Sequence, residues 1–385
     1  MILQDLKIPG SASSVLIIDL EAIKSNFTYL QKKVSKVEVG VSIKSDAYGL
    51  GAKAVGKLLS AAGCKTFFVS TISEGMDLRE ILPSSRIIVL NGPDRDSSKM
   101  FVENSLTPVL NSLNQIDIWH KETQQNPNNL SYLHVDTGMT RLGLNDKEIN
   151  KLFSKDDLLN DLKIEVLMSH LACAEEANSQ KNEEQLEKLI VIKEKLSPLI
   201  GSVRTSLANS AGIFLGSDFH LDLVRAGAFI YGLNKKDSGQ DSSKPVIRVF
   251  AKIIQVQEVD SPSTVGYGAT HEISRLTRIA TVATGYADGY IRSSGQTYKK
   301  ENKNTAKVYF GNMSAPIIGR VSMDLLTIDV SDLPDHLVQP GGYAELIGNN
   351  YTVDDLAEVS GTIGYEILVR LGRRHHRVFV GGDGI

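Results

Sequence analysis

Lys44 closes a β-branched run that starts at Val37, and it opens the segment Lys44-Ser45-Asp46-Ala47-Tyr48-Gly49-Leu50-Gly51. A lysine that leaves an apolar strand is partly stripped of water. That lowers its pKa and makes its amine a nucleophile toward aldehydes. Four later segments also follow apolar runs: Asp136-Thr137-Gly138-Met139-Thr140-Arg141-Leu142-Gly143, Ser169-His170-Leu171-Ala172, Asn209-Ser210-Ala211 and Arg225-Ala226-Gly227-Ala228. Taken singly, each has a plainer reading. Lys44 reads as a surface lysine, Arg141 as the ion-pair partner of Asp136, His170 as a hydrogen-bonded core histidine, Asn209 and Ser210 as a helix cap, and Gly227 as a tight turn. Taken together they supply a lysine, two arginines, a histidine, hydroxyls and small residues that bare backbone N–H groups. That set suits an anionic aromatic cofactor whose phosphate is held by hydroxyls and amides.

For these segments to meet, the runs before them must be neighbouring strands pointing the same way. Eight strand-like runs precede residue 230: Val37 to Ile43, Thr66 to Ser70, Arg86 to Leu90, Leu106 to Leu110, Leu130 to Val135, Ile164 to Ser169, Val203 to Leu207 and Leu221 to Val224. Most are separated by helical patterns, the clearest from Ser179 to Ile200. Earlier, Ile23, Phe27, Leu30 and Val34 recur at helical spacing after Asp19, a candidate N-cap. Eight strand–helix units predict an α/β fold, a (β/α)8 TIM-like barrel rather than an open sheet. In such a barrel the active site lies at the C-terminal ends of the strands, where the five segments fall. Ser238 to Pro245 is polar and rich in turn residues and reads as a linker. Beyond it, β-rich runs follow at Val246 to Val259, Thr277 to Thr284, Lys307 to Phe310, Leu325 to Val330 and Tyr343 to Ile347, with one short helix from Val353 to Glu358. The expected division is a cofactor-binding barrel over residues 12–240 and a mostly β C-terminal domain over 241–385, with residues 1–11 joined to it.

Composition narrows the function further. A net charge of -3 over 385 residues gives no electrostatic footprint for nucleic acid or an anionic membrane. No apolar run reaches about 18 residues, so no transmembrane helix is expected, and the N-terminus does not read as a signal peptide. The two cysteines, Cys64 and Cys173, stand far apart and in no metal-ligand spacing, so neither a disulfide framework nor a metal site is expected. A soluble cytoplasmic protein follows.

The blocks around Lys44, Asp136, His170, Asn209 and Arg225 resemble, in the same order, those of the alanine racemase family. Gly266-Tyr267-Gly268-Ala269, Gly285-Tyr286-Ala287-Asp288-Gly289-Tyr290, Gly319-Arg320-Val321-Ser322-Met323-Asp324 and Thr362-Ile363-Gly364-Tyr365-Glu366 extend the resemblance over essentially the whole chain. The resemblance implies an isomerase dependent on pyridoxal 5'-phosphate that interconverts L- and D-alanine and supplies D-alanine for peptidoglycan. It implies that Lys44 forms a Schiff base with the cofactor aldehyde and, once freed, serves as acid and base on one face of the α-carbon. Tyr267 serves on the other face. A phenol titrates near 10, so as a base at neutral pH it needs nearby cations or a relay through a residue such as Asp324 or His170. His170 is the ring-side histidine, and Arg225 faces the pyridine nitrogen. Tyr48, Asn209, Ser210, Gly227, Ala228 and Tyr365 bind the cofactor, chiefly at its phosphate. Arg141 contacts the cofactor phenolate or the substrate carboxylate, which Met323 also meets. Tyr286, Arg292 and Arg320 line the entrance. The β domain supplies its residues to a partner subunit, so the resemblance implies an obligate homodimer.

The chain departs from the family at several positions. His134 stands where many members have a lysine, often carbamylated, that would hold the arginine at 141. Ser322 and Leu325 replace a cysteine and a glutamine common beside Met323-Asp324. Gly364 replaces a common asparagine, a change expected to widen the entrance. Three rival readings stay open. A decarboxylase on the same barrel tends to pair the ring nitrogen with a carboxylate. A non-catalytic cofactor-binding protein has no need of Tyr267. A racemase of serine or larger amino acids differs only in pocket packing.

Overall fold

The computed structural model describes residues 6–124, 129–153, 159, 162–233, 242–295 and 306–382. The apolar run at the start forms β1 (Ser14–Asp19). Asp19 then caps the helix Leu20–Lys33, its Oδ1 accepting from the amide of Ala22 at 2.8 Å. Ile23, Phe27 and Leu30 on that helix are fully buried, as the spacing predicts.

By chain contacts the protein forms two units, residues 24–230 and residues 1–23 with 231–384. The first contains the parallel strands β2 (Glu38–Ser42), β3 (Thr66–Val69), β4 (Arg86–Val89), β5 (Thr107–Leu110), β6 (Leu130–His134), β7 (Lys163–Met168), β8 (Arg204–Ser206) and β9 (Leu223–Ala226). They run in order from β2 to β8, and β9 returns to pair with β2 in parallel. In place of a ladder, the seam between β8 and β9 is held by the amide of Asp222 on Thr205 O (3.1 Å) and the amide of Arg225 on Ala208 O (2.9 Å). The Ser206 hydroxyl adds a bond to Leu223 O at 2.6 Å. The eight predicted barrel strands are all present, each within a few residues of its expected span.

Phe68, Ile88, Val109, Tyr132, Val166, Met168 and Leu223 fill the barrel interior. Gly40 makes room for them, since a Cβ there would lie 2.7 Å from the Phe68 ring. At the N-terminal strand ends, Glu38 pairs with Arg86 and Arg204 (2.5 and 2.6 Å), and Arg86 also pairs with Glu165 (2.8 Å). This end is closed by ion pairs, and the opposite end is left for chemistry.

The second unit holds β10 (Ile247–Val259), β11 (Ser263–Val265), β12 (His271–Ile273), β13 (Thr277–Val282), β14 (Lys307–Phe310), β15 (Met313–Ile318), β16 (Leu326–Asp329), β17 (Tyr343–Ile347) and β18 (His376–Val380). The strands β10, β17, β14, β15, β16 and β13 form an antiparallel ring closed by β13 pairing back onto β10. A bulge between Ile253 and Gln255 lets the long β10 change partners. β1 pairs antiparallel with β10 and parallel with β18. The strand Ser14–Asp19 thus lies in the β unit, whereas the sequence reading begins the barrel domain at residue 12. An apolar run of this length looks the same in either sheet, and only its long-range partners decide. The expected linker falls partly outside the described residues. Residues 242–245 lead into β10 without regular structure.

Candidate active site

Lys44 stands just past β2, and the backbone after it turns the unusual way. Ser45, Asp46, Ala47 and Tyr48 all have φ near +55°, which makes a single turn of left-handed helix. Each such L residue costs roughly 1–2 kcal/mol, so the turn must be held from outside. The amide of Ala52 donates to Asp46 Oδ1 (2.7 Å), and the amide of Ser45 donates to Glu74 Oε1 (2.7 Å). Gly49 and Gly51 (φ 84° and 101°) continue the turn where a side chain would add strain. The Lys44 amine has no hydrogen bond or ion pair among the described residues. Burial pulls its pKa below the ordinary lysine value, and the charge of Arg141 pulls it further, against a smaller opposing effect of Glu74.

Tyr48, at the end of this turn, is buried, and burial pushes its phenol up. Its hydroxyl lies against Gly227, where a Cβ would come within 2.5 Å of it. Across the β8–β9 seam, Ser210 Oγ accepts from the amides of Gly227 (2.8 Å) and Phe229 (3.2 Å). Asn209 Oδ1 accepts from the amide of Gly212 (2.8 Å). The pair therefore divides: Asn209 fixes the turn into the short helix Gly212–Phe214, whose N-cap is Ala211, and Ser210 joins two strand ends. Ala228 opens a short turn, and its amide finds no acceptor beyond that turn among the described residues.

Arg225 points from β9 among neutral groups. It donates to Ser206 Oγ (2.6 Å), Ser169 O (2.5 Å) and Leu207 O (3.2 Å), and it lies 3.2 Å from His170 Nδ1. No carboxylate pairs with it among the described residues, and burial lowers its pKa to about 10. His170 is held well below the ordinary histidine range, first by burial and then by Arg225 and Arg141.

The loop after β6 carries Arg141. Asp136 Oδ1 accepts from the amides of Gly138, Met139 and Thr140 (2.9, 3.0 and 3.0 Å). Asp136 thus shapes the loop, and the expected ion pair with Arg141 is not formed. Arg141 is exposed and without an ion-pair partner among the described residues.

In the β unit the remaining candidates sit on adjoining loops. Tyr267 is at the tip of the hairpin β11–β12 and is 69% exposed. Arg320 backs that tip, its guanidinium 3.2 Å from where a Cβ on Gly268 would be. The amides of Tyr286 and Ala287 donate to Ser322 O (3.1 Å) and Met323 O (3.0 Å). Arg292 lies on the turn Arg292–Ser294, and Ser293 beside it bonds Ser360 O at 2.8 Å. Tyr365 begins the helix Gly364–Arg370, packed on the helix Val353–Ser360. The space a side chain at Gly364 would take is filled by Asp354 and Leu233, 2.5 and 2.7 Å from the Cβ position. Gly364 therefore opens no extra room, contrary to expectation. Asp324 accepts from Arg374 at 2.6 Å.

Sequence reasoning missed three supports. Glu74 sits three residues after Thr71, a capping-box signature that could have been read. Asn111 is a polar residue just past a barrel strand, also a readable signal. Gln185, wholly buried, donates to Thr137 Oγ1 (3.1 Å) and His170 O (2.8 Å) and accepts from the amide of Ala172 (2.8 Å). Its position on a charged helix gave no signal.

A parallel barrel gathers at its strand ends a lysine and an arginine that have, among the described residues, no ion-pair partner, together with a hydroxyl cradle, and an antiparallel β domain follows in the chain. Comparison with known proteins gives this arrangement a family. Residues 18–235 match the model of the alanine racemase N-terminal domain, and residues 246–379 match that of the C-terminal domain. The alanine racemase of Rhizobium meliloti is 40% identical over 375 residues, 97% of this chain and 98% of the relative. That of Rickettsia africae is 42% identical over 366 residues, covering 94% and 98%. Among solved structures, the alanine racemase of Bartonella henselae, described with covalently bound pyridoxal phosphate, superposes with a TM-score of 0.87 at 35% identity, covering 96% of this chain and all of that one. The biosynthetic alanine racemase of Pseudomonas aeruginosa gives 0.85 at 31% identity, again covering 96% of this chain. The chain belongs to the alanine racemase family.

Proposed function

We propose that this chain is a pyridoxal-phosphate-dependent alanine racemase that interconverts L- and D-alanine by proton transfer between two bases. The observation that carries the reading is Lys44: an amine without a partner, its pKa lowered by burial and by Arg141, at a barrel strand end in a chain of this family. The residues around it fit the cofactor. Tyr48 and Ser210 offer hydroxyls, Gly227 leaves the backbone bare, and the amide of Ala228 is available to a phosphate. Asn209 Oδ1 holds the turn that follows this cradle through the amide of Gly212. Arg225 would face the ring nitrogen and His170 the ring.

Pyridoxal phosphate supplies the electron sink that makes the α-proton of alanine removable. Lys44 Nζ holds or returns that proton on one face, and the Tyr267 hydroxyl does so on the other. Arg225 is still protonated at neutral pH, with its pKa at about 10, and would hold the ring nitrogen as a hydrogen-bond donor that keeps its proton. A donor of this kind would leave the cofactor a weaker electron sink, which would favour return of the proton over transamination. Arg141 and the backbone amide of Met323 orient the substrate carboxylate, and Tyr286, Arg292 and Arg320 line the entrance. The β-unit residues act on the partner subunit's lysine, so the enzyme works as a homodimer.

D-alanine for peptidoglycan is the product this activity supplies, and the cytoplasm is the proposed location. Cys64 and Cys173 are unpaired, in keeping with a reducing compartment. Among the described residues no helix is long and apolar enough to cross a membrane.

Racemisation rates measured across the common amino acids test the reading, with alanine expected fastest. Lys44→Ala should leave no cofactor that borohydride can fix to the chain. Faster turnover of serine, or a borohydride-fixed cofactor in Lys44→Ala, overturns the substrate or the lysine assignment respectively.

A further inference from the structure

His134 ends β6 inside the site, buried, and its Nδ1 lies 2.8 Å from Asn111 Oδ1. Asn111 follows β5 and is itself buried. Its amide nitrogen meets Leu90 O at 3.0 Å and Val109 O at 3.1 Å, and Gln115 Oε1 at 3.2 Å. Those carbonyl oxygens can only accept, so the –NH2 group of Asn111 must face them. Its oxygen is then the atom left for His134. An amide oxygen can only accept, so the proton of the contact sits on His134 Nδ1. Two backbone carbonyls thus settle the tautomer of a ring they do not touch.

A neutral imidazole protonated at Nδ1 has a bare lone pair at Nε2. That nitrogen has no partner among the described residues. The neighbouring ring carbon, Cδ2, lies 3.1 Å from where a Cβ on Gly143 would be, and Gly143 closes the loop that carries Arg141. The same loop is tied back onto β6 by the amide of Leu144 on His134 O at 2.8 Å and the amide of Asp136 on Leu144 O at 2.9 Å. We propose that Asn111 is a positioning residue: it holds His134 as the neutral Nδ1–H form, so that Nε2 is an acceptor offered to the guanidinium of Arg141.

The charges around His134 agree. Arg225 faces it from β9, Arg141 and Asp136 from the loop after β6, and His170 from the end of β7. Burial, then Arg225, hold its pKa down at about 4, with Arg141 adding to them and Asp136 opposing. A second cation beside Arg141 would repel it, whereas a fixed neutral acceptor orients it. The proposal rests on the reading above only in taking Arg141 as a substrate- or cofactor-facing residue.

The test is nitrogen NMR of the protein labelled with 15N-histidine, with and without pyridoxal phosphate, assigned by His134→Gln. The expected spectrum has Nδ1 protonated and Nε2 bare from neutral pH down to about pH 5. Arg141→Gln should move the Nε2 resonance and leave Nδ1 in place. In Asn111→Asp a carboxylate accepts from the Nδ1–H and places a negative charge beside the ring, and the proton affinity of His134 should rise more than about tenfold. In the loaded enzyme the KM for alanine should then rise by roughly tenfold while kcat changes less than about twofold. A wild-type His134 protonated at Nε2, an Nε2 resonance indifferent to Arg141→Gln, or an unmoved titration in Asn111→Asp overturns the proposal. Should Asn111→Asp not fold, the wild-type and Arg141→Gln spectra decide. A protein that shows the tautomer yet leaves alanine unchanged refutes the proposed function and not this assignment.

Discussion

The carboxylate of Glu74 joins two backbones: Oε1 accepts from the amide of Ser45 at 2.7 Å, and Oε2 from the amide of Ser70 at 2.8 Å. Ser45 is the residue after Lys44, so the helix Ile72–Arg79 is riveted to the start of the left-handed turn. Glu74 also pulls the pKa of Lys44 up, against burial and Arg141. In Glu74→Gln that opposition disappears, and Lys44 should titrate lower. The pH midpoint for covalent attachment of pyridoxal phosphate to the apo protein should move to lower pH. Glu74→Ala removes both acceptors and should cost about 1–3 kcal/mol of stability in urea. An unmoved midpoint in Glu74→Gln would show that its charge does not reach the lysine.

Arg225 tests the electron sink. Its partners Ser169 O and Leu207 O are acceptors, so a carboxylate at this position must hold a proton to stay there. Arg225→Glu should weaken cofactor binding and slow racemisation by a factor of roughly 10² or more. The share of turnovers that end in pyruvate, read with lactate dehydrogenase, should rise. A variant with the wild-type ratio of racemisation to pyruvate would remove the reason given for an arginine at the ring nitrogen.

Subunit mixing tests the shared site. Lys44→Ala and Tyr267→Phe should each be inactive alone. Mixed and allowed to exchange, they should regain activity, because one site of the mixed dimer receives both wild-type residues. Dilution should lower specific activity as dimers part. No recovery after exchange is demonstrated by mass spectrometry would place both bases on one chain.

Acid stability follows from the histidines. The folded pKa of His134 is about 4 against 6.5 for a free histidine. The unfolded chain therefore takes up the proton first. The contribution of His134 is whole above about pH 6.5 and is lost as pH falls toward about 4, about 3 kcal/mol in all. His170 and His375 are also lowered, chiefly by burial, and act in the same direction. The urea midpoint should fall between pH 7 and about pH 5, and His134→Gln should flatten that slope. A slope unchanged in His134→Gln would mean that the ring protonates in the folded protein.

The barrel was legible because its signal is repeated: apolar runs recur, and each ends in a polar residue where a parallel barrel keeps its chemistry. Lys44, His170 and Arg225 could be picked out for that reason. β15 was not read, because Pro316 and Ser314 mask a strand that the ring of the β unit makes possible. The strands of the hairpin β11–β12 have three residues each, too few for a pattern, and β18 opens on His376 and Arg377, which hide its apolar end. The left-handed turn after Lys44 was hidden for another reason. Ser45, Asp46 and Ala47 carry no strong sign of positive φ, and the conformation is imposed by Glu74 and the amide of Ala52. The depressed pKa of His134 is likewise a product of the fold, since burial comes first and Arg225 second.

The seam between β8 and β9 lacks a strand ladder and is bridged instead by two backbone bonds and by the side chains of Ser206, Ser210 and Asp222. Ser210 stands on one side of it, Arg225 and Gly227 on the other, and all three belong to the proposed cofactor site. A ligand held by the proposed site from both sides would do for this gap what hydrogen-bonded pairing does for the other seven. On that proposal, loading the site would also be the last step in closing the cylinder. In hydrogen exchange, the amides of Asp222 and Arg225 should be among the earliest of the barrel to exchange in the empty protein and the most strongly protected on loading.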